Sequence, residues 1–188
     1  QCLVEAFEDG EERRGARVAG VGREVEQHHR HLALGAFAAT QRNEFRDTRG
    51  IELQIGPIDA PYLQLPGAVN MGNPHIIFFV PDLDAVDVRA VGSLCEWHPL
   101  FPQGVNTGFL EIISRTETRL RTWERNAGQT LACGSNNCAA IVAAARRNLT
   151  DRKALVHNDG GDIEIEWSEA TDHVIMTGPV ELEYVSEG

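Results

Sequence analysis

The sequence predicts an α+β fold in which a curved, mostly antiparallel sheet wraps around a central helix. Three observations predict it. The run CAAIVAAARRNL at 138–149 is apolar nearly all round until Arg146, and a helix without a polar face belongs inside a fold. In DIEIEW at 162–167, Ile163, Ile165 and Trp167 alternate with Asp162, Glu164 and Glu166, the pattern of a strand buried on one face. The strand-like runs of the C-terminal region are separated by NDGG, SEATD and GP, which are turn formers.

The elements follow in order. Residues 1–45 mix Arg, Glu, Gly and His with no sustained hydrophobic period, and one helix is expected around 23–40. His28, His29 and His31 do not share a clean helical face and have no neighbouring Cys or acidic cluster, so no metal site is expected there. GIELQI at 50–55 alternates like a strand, and GPIDAP at 56–61 supplies a turn. HIIFFV at 75–80 suits a strand buried on both faces. Over 82–99, Leu83, Val86, Val88, Val91 and Leu94 fall on one side of a helix that Pro99 stops. Cys95 lies near its end and is expected to pack as a small buried hydrophobe. TGFLEII at 107–113 and TRLRTWE at 118–124 read as a hairpin. KALVH, DIEIEW, HVIMT and VELEYV read as the remaining strands.

With 188 residues, 42% hydrophobic and 24% charged, the chain can bury a core and is neither disordered nor membranous in composition. Its net charge of −11 argues against nucleic-acid or anionic-membrane partners, which need concentrated basic charge. No apolar run approaches the roughly 20 residues of a membrane span, and the acidic start does not fit a signal peptide. The four cysteines, at 2, 95, 133 and 138, show no C-x-x-C spacing, so reduced thiols in a cytoplasmic protein are expected. The chain starts without Met, as a piece of a longer protein would.

LACGSNNCAA at 131–140 places Cys133 immediately before the alanine helix. If the helix begins just after it, the N–H groups of about 134–137 lack helical partners and can hold a carboxylate. The same field is expected to lower the thiol pKa from roughly 8.5. Gly134 and Ser135 are small enough to let a ligand reach the backbone. The competing reading is a buried cysteine before an ordinary helix. Cys138 falls inside the helix and is expected to pack inertly. Three further stretches offer polar groups: Asn73 and His75 in GNPH, Asn106 in VN, and Glu124 with Arg125 in WER. Together they supply amides for the polar ends of an amino acid, an Arg for a carboxylate and acid–base groups near a thiol.

The stretches FRDTRGIELQIGPIDAP, VNMGNPHIIFFV, HPLFPQGVNTGF, RTWERNAGQTLACGSNNCAAIVAAARRN and GGDIEIEWSEATDHVIMTGP resemble, in order, the diaminopimelate epimerase family over roughly residues 45–185. The resemblance implies an enzyme without a cofactor that interconverts LL- and meso-diaminopimelate, a step toward lysine and peptidoglycan. It implies two similar domains, each a curved sheet around a helix, and two cysteines acting on opposite faces of the substrate α-carbon. By motif, Cys133 matches the catalytic cysteine of the second domain. Asn73, Asn106, Glu124, Arg125, Gly134 and Ser135 match substrate contacts, and His75 and Glu124 match residues that tune the thiols. A homodimer is the family expectation.

The sequence departs from the family pattern in three places. Asn136 and Asn137 stand in a loop that usually resembles C-G-[ST]-G-A-C, where they add bulk at the expected carboxylate position. Asn126 stands where Gly usually follows the Glu-Arg pair. The N-terminal C-G-N-G-type loop with the first catalytic cysteine is absent, and QCLVEAF resembles the helix that follows it, with Cys2 as an inert helix cysteine. Residues 1–45 are therefore read as a remnant of the N-terminal domain and 46–188 as the C-terminal domain, whose last strands could pair with that remnant. The second copy of the fold is incomplete, and the enzyme is truncated or impaired. The alternatives are a non-catalytic binding or dimerisation remnant and a related cofactor-independent amino-acid racemase or isomerase.

Overall fold

The computed structural model describes residues 2–7, 48–56 and 62–179. Its strands are β1 (Cys2–Phe7), β2 (Gln54–Ile55), β3 (Leu63–Gln64), β4 (Gly67–Asn70), β5 (Pro74–Val80), β6 (Asn106–Ser114), β7 (Glu117–Glu124), β8 (Gly128–Thr130), β9 (Lys153–Asn158), β10 (Gly161–Trp167) and β11 (Val174–Pro179). The helices are α1 (Val88–Glu96) and α2 (Gly134–Arg146). Strands run in the spatial order β1-β11-β10-β9-β7-β6-β5-β4, with β8 on β7, while β2 and β3 form a separate pair.

Where consecutive strands are joined by short turns the pairing is antiparallel, as in β4/β5, β6/β7, β9/β10 and β10/β11. Where a helix lies in the connection the strands come back parallel. The β5-to-β6 crossover carries α1 and the β7-to-β9 crossover carries α2. The curled sheet that results encloses α2, which touches β4, β5, β6, β7, β9, β10 and β11. Every residue from Asn136 to Ala144 is buried. Alanine suits this position because a strand can come close: a Cβ at Gly67 of β4 would stand 3.1 Å from the Ala143 Cβ. Around the helix, Leu110, Leu120, Val156, Ile165 and Val174 complete one core. As expected, Ile165 is buried, with Ile163 and Trp167 packed beside it.

α1 covers the other face of the sheet, over a second core that includes Ile76, Phe78 and Phe109, the two rings stacked at 6.0 Å. This helix is shorter than expected because Asp87 caps it, accepting the Ala90 N–H at 2.9 Å. Its inward face keeps Val88 and Val91, as expected, but not Leu94. Val88, Gly92, Cys95 and Glu96 are buried, whereas Leu94 is 63% exposed. Gly92 sets that rotation, since a Cβ there would overlap Trp123. Cys95 and Cys138 are both fully buried, and burial pushes the Cys95 thiol up to about 12.

Two expected elements change. The strand over 50–55 shrinks to β2, although Ile51 and Leu53 still bury their side chains. Within QCLVEAF, matched above to a helix, Cys2–Phe7 form the strand β1, pairing in parallel with β11 from Cys2↔Val174 to Phe7↔Pro179. That pairing satisfies backbone groups on the side of β11 away from β10. The helix expected around 23–40, the histidines at 28, 29 and 31, and the strand VELEYV lie outside the described residues.

Candidate active site

Cys133 is the N-cap of α2, with an extended backbone (φ −141°, ψ 112°), and the first helical bond runs from Asn137 N–H to its carbonyl at 2.9 Å. The helix therefore starts where the sequence placed it, but the expected anion cradle narrows. Asn137 N–H is already partnered and Asn136 N–H is directed at the Cys133 thiol, which leaves the Gly134 and Ser135 N–H groups of the first turn for a ligand. Ser135 Oγ lies 3.5 Å from Cys133 Sγ. Gly134 sits under Met176 of β11, where a Cβ would be 3.0 Å from the methionine methyl.

The expected lowering of the Cys133 pKa is not found. Burial raises it, Glu124 raises it further by charge and hydrogen bonding, and the Ser135 hydroxyl and Asn136 N–H pull it down without overcoming them. The resting thiol is therefore protonated. Glu124 lies at the end of β7, its Oε1 accepting from Thr130 Oγ1 of β8 at 2.6 Å.

Asn136 does not crowd the cradle, as the sequence led one to expect. Its side chain is fully buried and turns the other way. Nδ2 donates to Thr122 Oγ1 at 2.8 Å, and Oδ1 lies 3.1 Å from His75 Nδ1. Asn137 is buried too, donating back to the Cys133 carbonyl at 3.0 Å. His75, on β5, is fully buried, and its Nε2 lies 2.9 Å from Asn73 Oδ1. Desolvation, reinforced by the Arg125 charge, lowers the His75 pKa to about 4. Asn106, paired with His75 across β5 and β6, donates to the Pro74 carbonyl at 3.2 Å and accepts the Arg125 N–H at 2.9 Å. The Arg125 guanidinium donates to Gln103 O at 2.6 Å. The predicted residues thus form one connected cluster running from Asn106 and Arg125 through His75 and Asn136 to Cys133 and Glu124.

Two members were not expected from sequence. Glu96 of α1 is buried and brackets the Glu124–Arg125 pair, accepting from Trp123 Nε1 and Asn126 N at 2.8 Å each. Thr122 points inward, and the strict burial alternation of β7 over Thr118, Leu120 and Thr122 is the signal that could have found it. Asn126 has φ +65°, the left-handed region that Gly or Asn adopts most readily, which accounts for Asn at a position where the family pattern has Gly.

A family model described as Diaminopimelate epimerase matches residues 67–183. A diaminopimelate epimerase of Caulobacter sp. (strain K31) is 58% identical over 146 residues, 77% of this chain and 50% of that relative. The corresponding protein of Afipia carboxidovorans is 57% identical over 141 residues, 75% of this chain and 49% of the relative. The chain spans about half the length of the curated relatives it matches. A solved phenazine biosynthesis protein of the PhzF family from Enterococcus faecalis is 11% identical, with a TM-score of 0.42 over 52% of this chain and 35% of that one. The family match extends across Cys133 at the start of α2 and the strands that hold His75 and Glu124, and this chain belongs to the diaminopimelate epimerase family.

Proposed function

We propose that this chain supplies one face of the active site of a cofactor-independent epimerase that interconverts LL- and meso-diaminopimelate, with Cys133 as one of two proton-transfer thiols. The observation that supports it is the setting of that thiol. It stands at the entrance of a buried helix, contacted by the Ser135 hydroxyl and the Asn136 N–H, with Glu124 beside it. A thiol held protonated at rest is ready to act as the acid, delivering a proton to one face of the α-carbanion. In the reverse direction a bound ammonium group near Glu124 would offset that charge and make the thiolate accessible. Gly134, Ser135, Asn73, Asn106, Glu124 and Arg125 are the groups we assign to the substrate's polar ends. Among the described residues, Cys95 and Cys138 are fully buried and cannot face Cys133 across a ligand, so the second thiol must come from elsewhere.

We assign residues 46–188 to this catalytic domain and residues 1–45 to the N-terminal one. We further place the protein in the cytoplasm as a homodimer without nucleic-acid or membrane partners. The net charge of −11 supports the last point, and no helix among the described residues is long and apolar enough to cross a membrane.

Two measurements test the proposal. Diaminopimelate should protect Cys133 from iodoacetamide while lysine does not; equal labelling with and without diaminopimelate rules out binding at this thiol. In D2O the isolated chain should give no stereo-inversion, because among the described residues no second cysteine is placed to face Cys133. Complete inversion would show that a second acid is already present.

A further inference from the structure

His75 has an amide on each ring nitrogen: Asn136 Oδ1 at 3.1 Å from Nδ1 and Asn73 Oδ1 at 2.9 Å from Nε2. A neutral imidazole carries a single N–H, so it cannot donate to two oxygens. Which nitrogen holds the proton is decided at Asn136. Its Nδ2 faces the Thr107 backbone carbonyl at 3.4 Å as well as Thr122 Oγ1 at 2.8 Å. A carbonyl only accepts, so the NH2 end must face it and the oxygen end must face His75. The amide has no room elsewhere. Gly108 of β6 leaves the space it occupies, and a Cβ there would stand 3.0 Å from Nδ2 and 3.1 Å from Oδ1. Both Asn136 and His75 are fully buried, so water cannot substitute for either partner.

The geometry points to Asn136 as a positioning residue that holds the His75 proton on Nδ1 and thereby turns the Asn73 amide. With Nδ1 donating to Asn136, Nε2 presents a lone pair and requires a donor. The oxygen and nitrogen ends of Asn73 exchange by a half-turn, so its NH2 faces the ring and its oxygen is directed away, free to accept. Burial, with the Arg125 charge beside it, keeps the ring from taking a second proton near neutrality. An acceptor presented by Asn73 suits a ligand N–H, such as an ammonium, rather than a carboxylate. This last consequence rests on the proposed substrate role of Asn73; the tautomer assignment does not. In the family pattern position 136 is a Gly, which has no side chain to act this way.

The test is a long-range 1H–15N correlation of the histidine rings in the uniformly 15N-labelled chain, with His75 assigned by its loss in His75→Gln. From pH 6 to 8 the ring should show a protonated Nδ1 and a bare Nε2. In Asn136→Ala the proton should move to Nε2, where the Asn73 oxygen becomes its acceptor. In Asn136→Asp, where a carboxylate replaces the amide, the proton should remain on Nδ1 and the ring should titrate at higher pH. A wild-type ring protonated at Nε2, a doubly protonated ring at pH 7, or an unchanged tautomer in Asn136→Ala would each overturn the assignment. If Asn136→Ala does not fold, the wild-type spectrum and Asn136→Asp decide between the outcomes. No turnover is measured, so failure of the epimerase reading leaves this result standing.

Discussion

Replacing Glu124 by Gln removes the charge beside Cys133 while keeping an acceptor for Thr130 Oγ1. The thiol should then ionise at lower pH, and its alkylation by iodoacetamide at pH 8 should speed up by as much as about tenfold, the equivalent of roughly one pH unit. An unchanged alkylation profile would assign the raised pKa to burial alone. His75 gives a pH dependence of stability with a definite sign. Its folded pKa, about 4, lies below the ordinary 6.5, so its contribution is present above pH 6.5 and is lost as pH falls toward 4. The loss amounts to at most about 3 kcal/mol. Urea melts at pH 7 and pH 4.5 should show the wild type losing more than His75→Gln. The residue types of this cluster were visible in the sequence as GNPH, VN, WER and ACGS. The direction of the Cys133 shift was not, because it depends on how deeply α2 buries its own N-cap.

At the scale of the element, α1 fixes the end of β7 and the turn after it, which carry Glu124 and Arg125. The Glu96 carboxylate joins the Trp123 indole to the Asn126 backbone, so Glu96→Ala leaves a part-buried indole N–H and a backbone N–H without their acceptor. Such losses cost about 2–3 kcal/mol, which a urea titration would detect. Glu96→Gln, which keeps one acceptor, should recover part of it. Sequence periodicity placed this face only in part. It counts Leu94 as inward along with Val88 and Val91, whereas contact with Trp123 turns Gly92 and Glu96 to the sheet. A second element-scale device is His157 on β9, held by Asp162 of β10 and Glu117 of β7 at 2.8 Å each. Both carboxylates, Asp162 first, raise its pKa above the ordinary value. Its stabilising effect is therefore complete below pH 6.5 and lost as pH rises through the raised value. The difference in Tm between wild type and His157→Gln should shrink from pH 6 to pH 9, opposite in sign to the His75 effect.

For the whole molecule, the governing fact is a helix of small residues enclosed by one curled sheet. Ala143→Leu adds volume where Gly67 brings β4 against the helix, and should destabilise the fold by about 1–3 kcal/mol in a denaturant titration. This architecture was legible because an alanine-rich helix without a polar face has only one place to go. The alternation of DIEIEW was equally plain, since Ile165 is buried with Ile163 and Trp167 beside it. That the last strands could pair with the N-terminal segment was an expectation from the resemblance, but the parallel direction and register of β1 on β11 were not legible. The pairing joins residues from opposite ends of the sequence, and nothing local to Cys2–Phe7 encodes a partner as distant as Val174. The enclosure of α2 bears on hydrogen exchange as well. Amides in its middle turns reach water only when strands on several sides part together, so they should exchange at the rate of global opening and be among the last to take up deuterium. The Cys133 thiol would then be carried at the tip of the molecule's slowest-opening segment, held in place by the cooperative stability of the whole sheet.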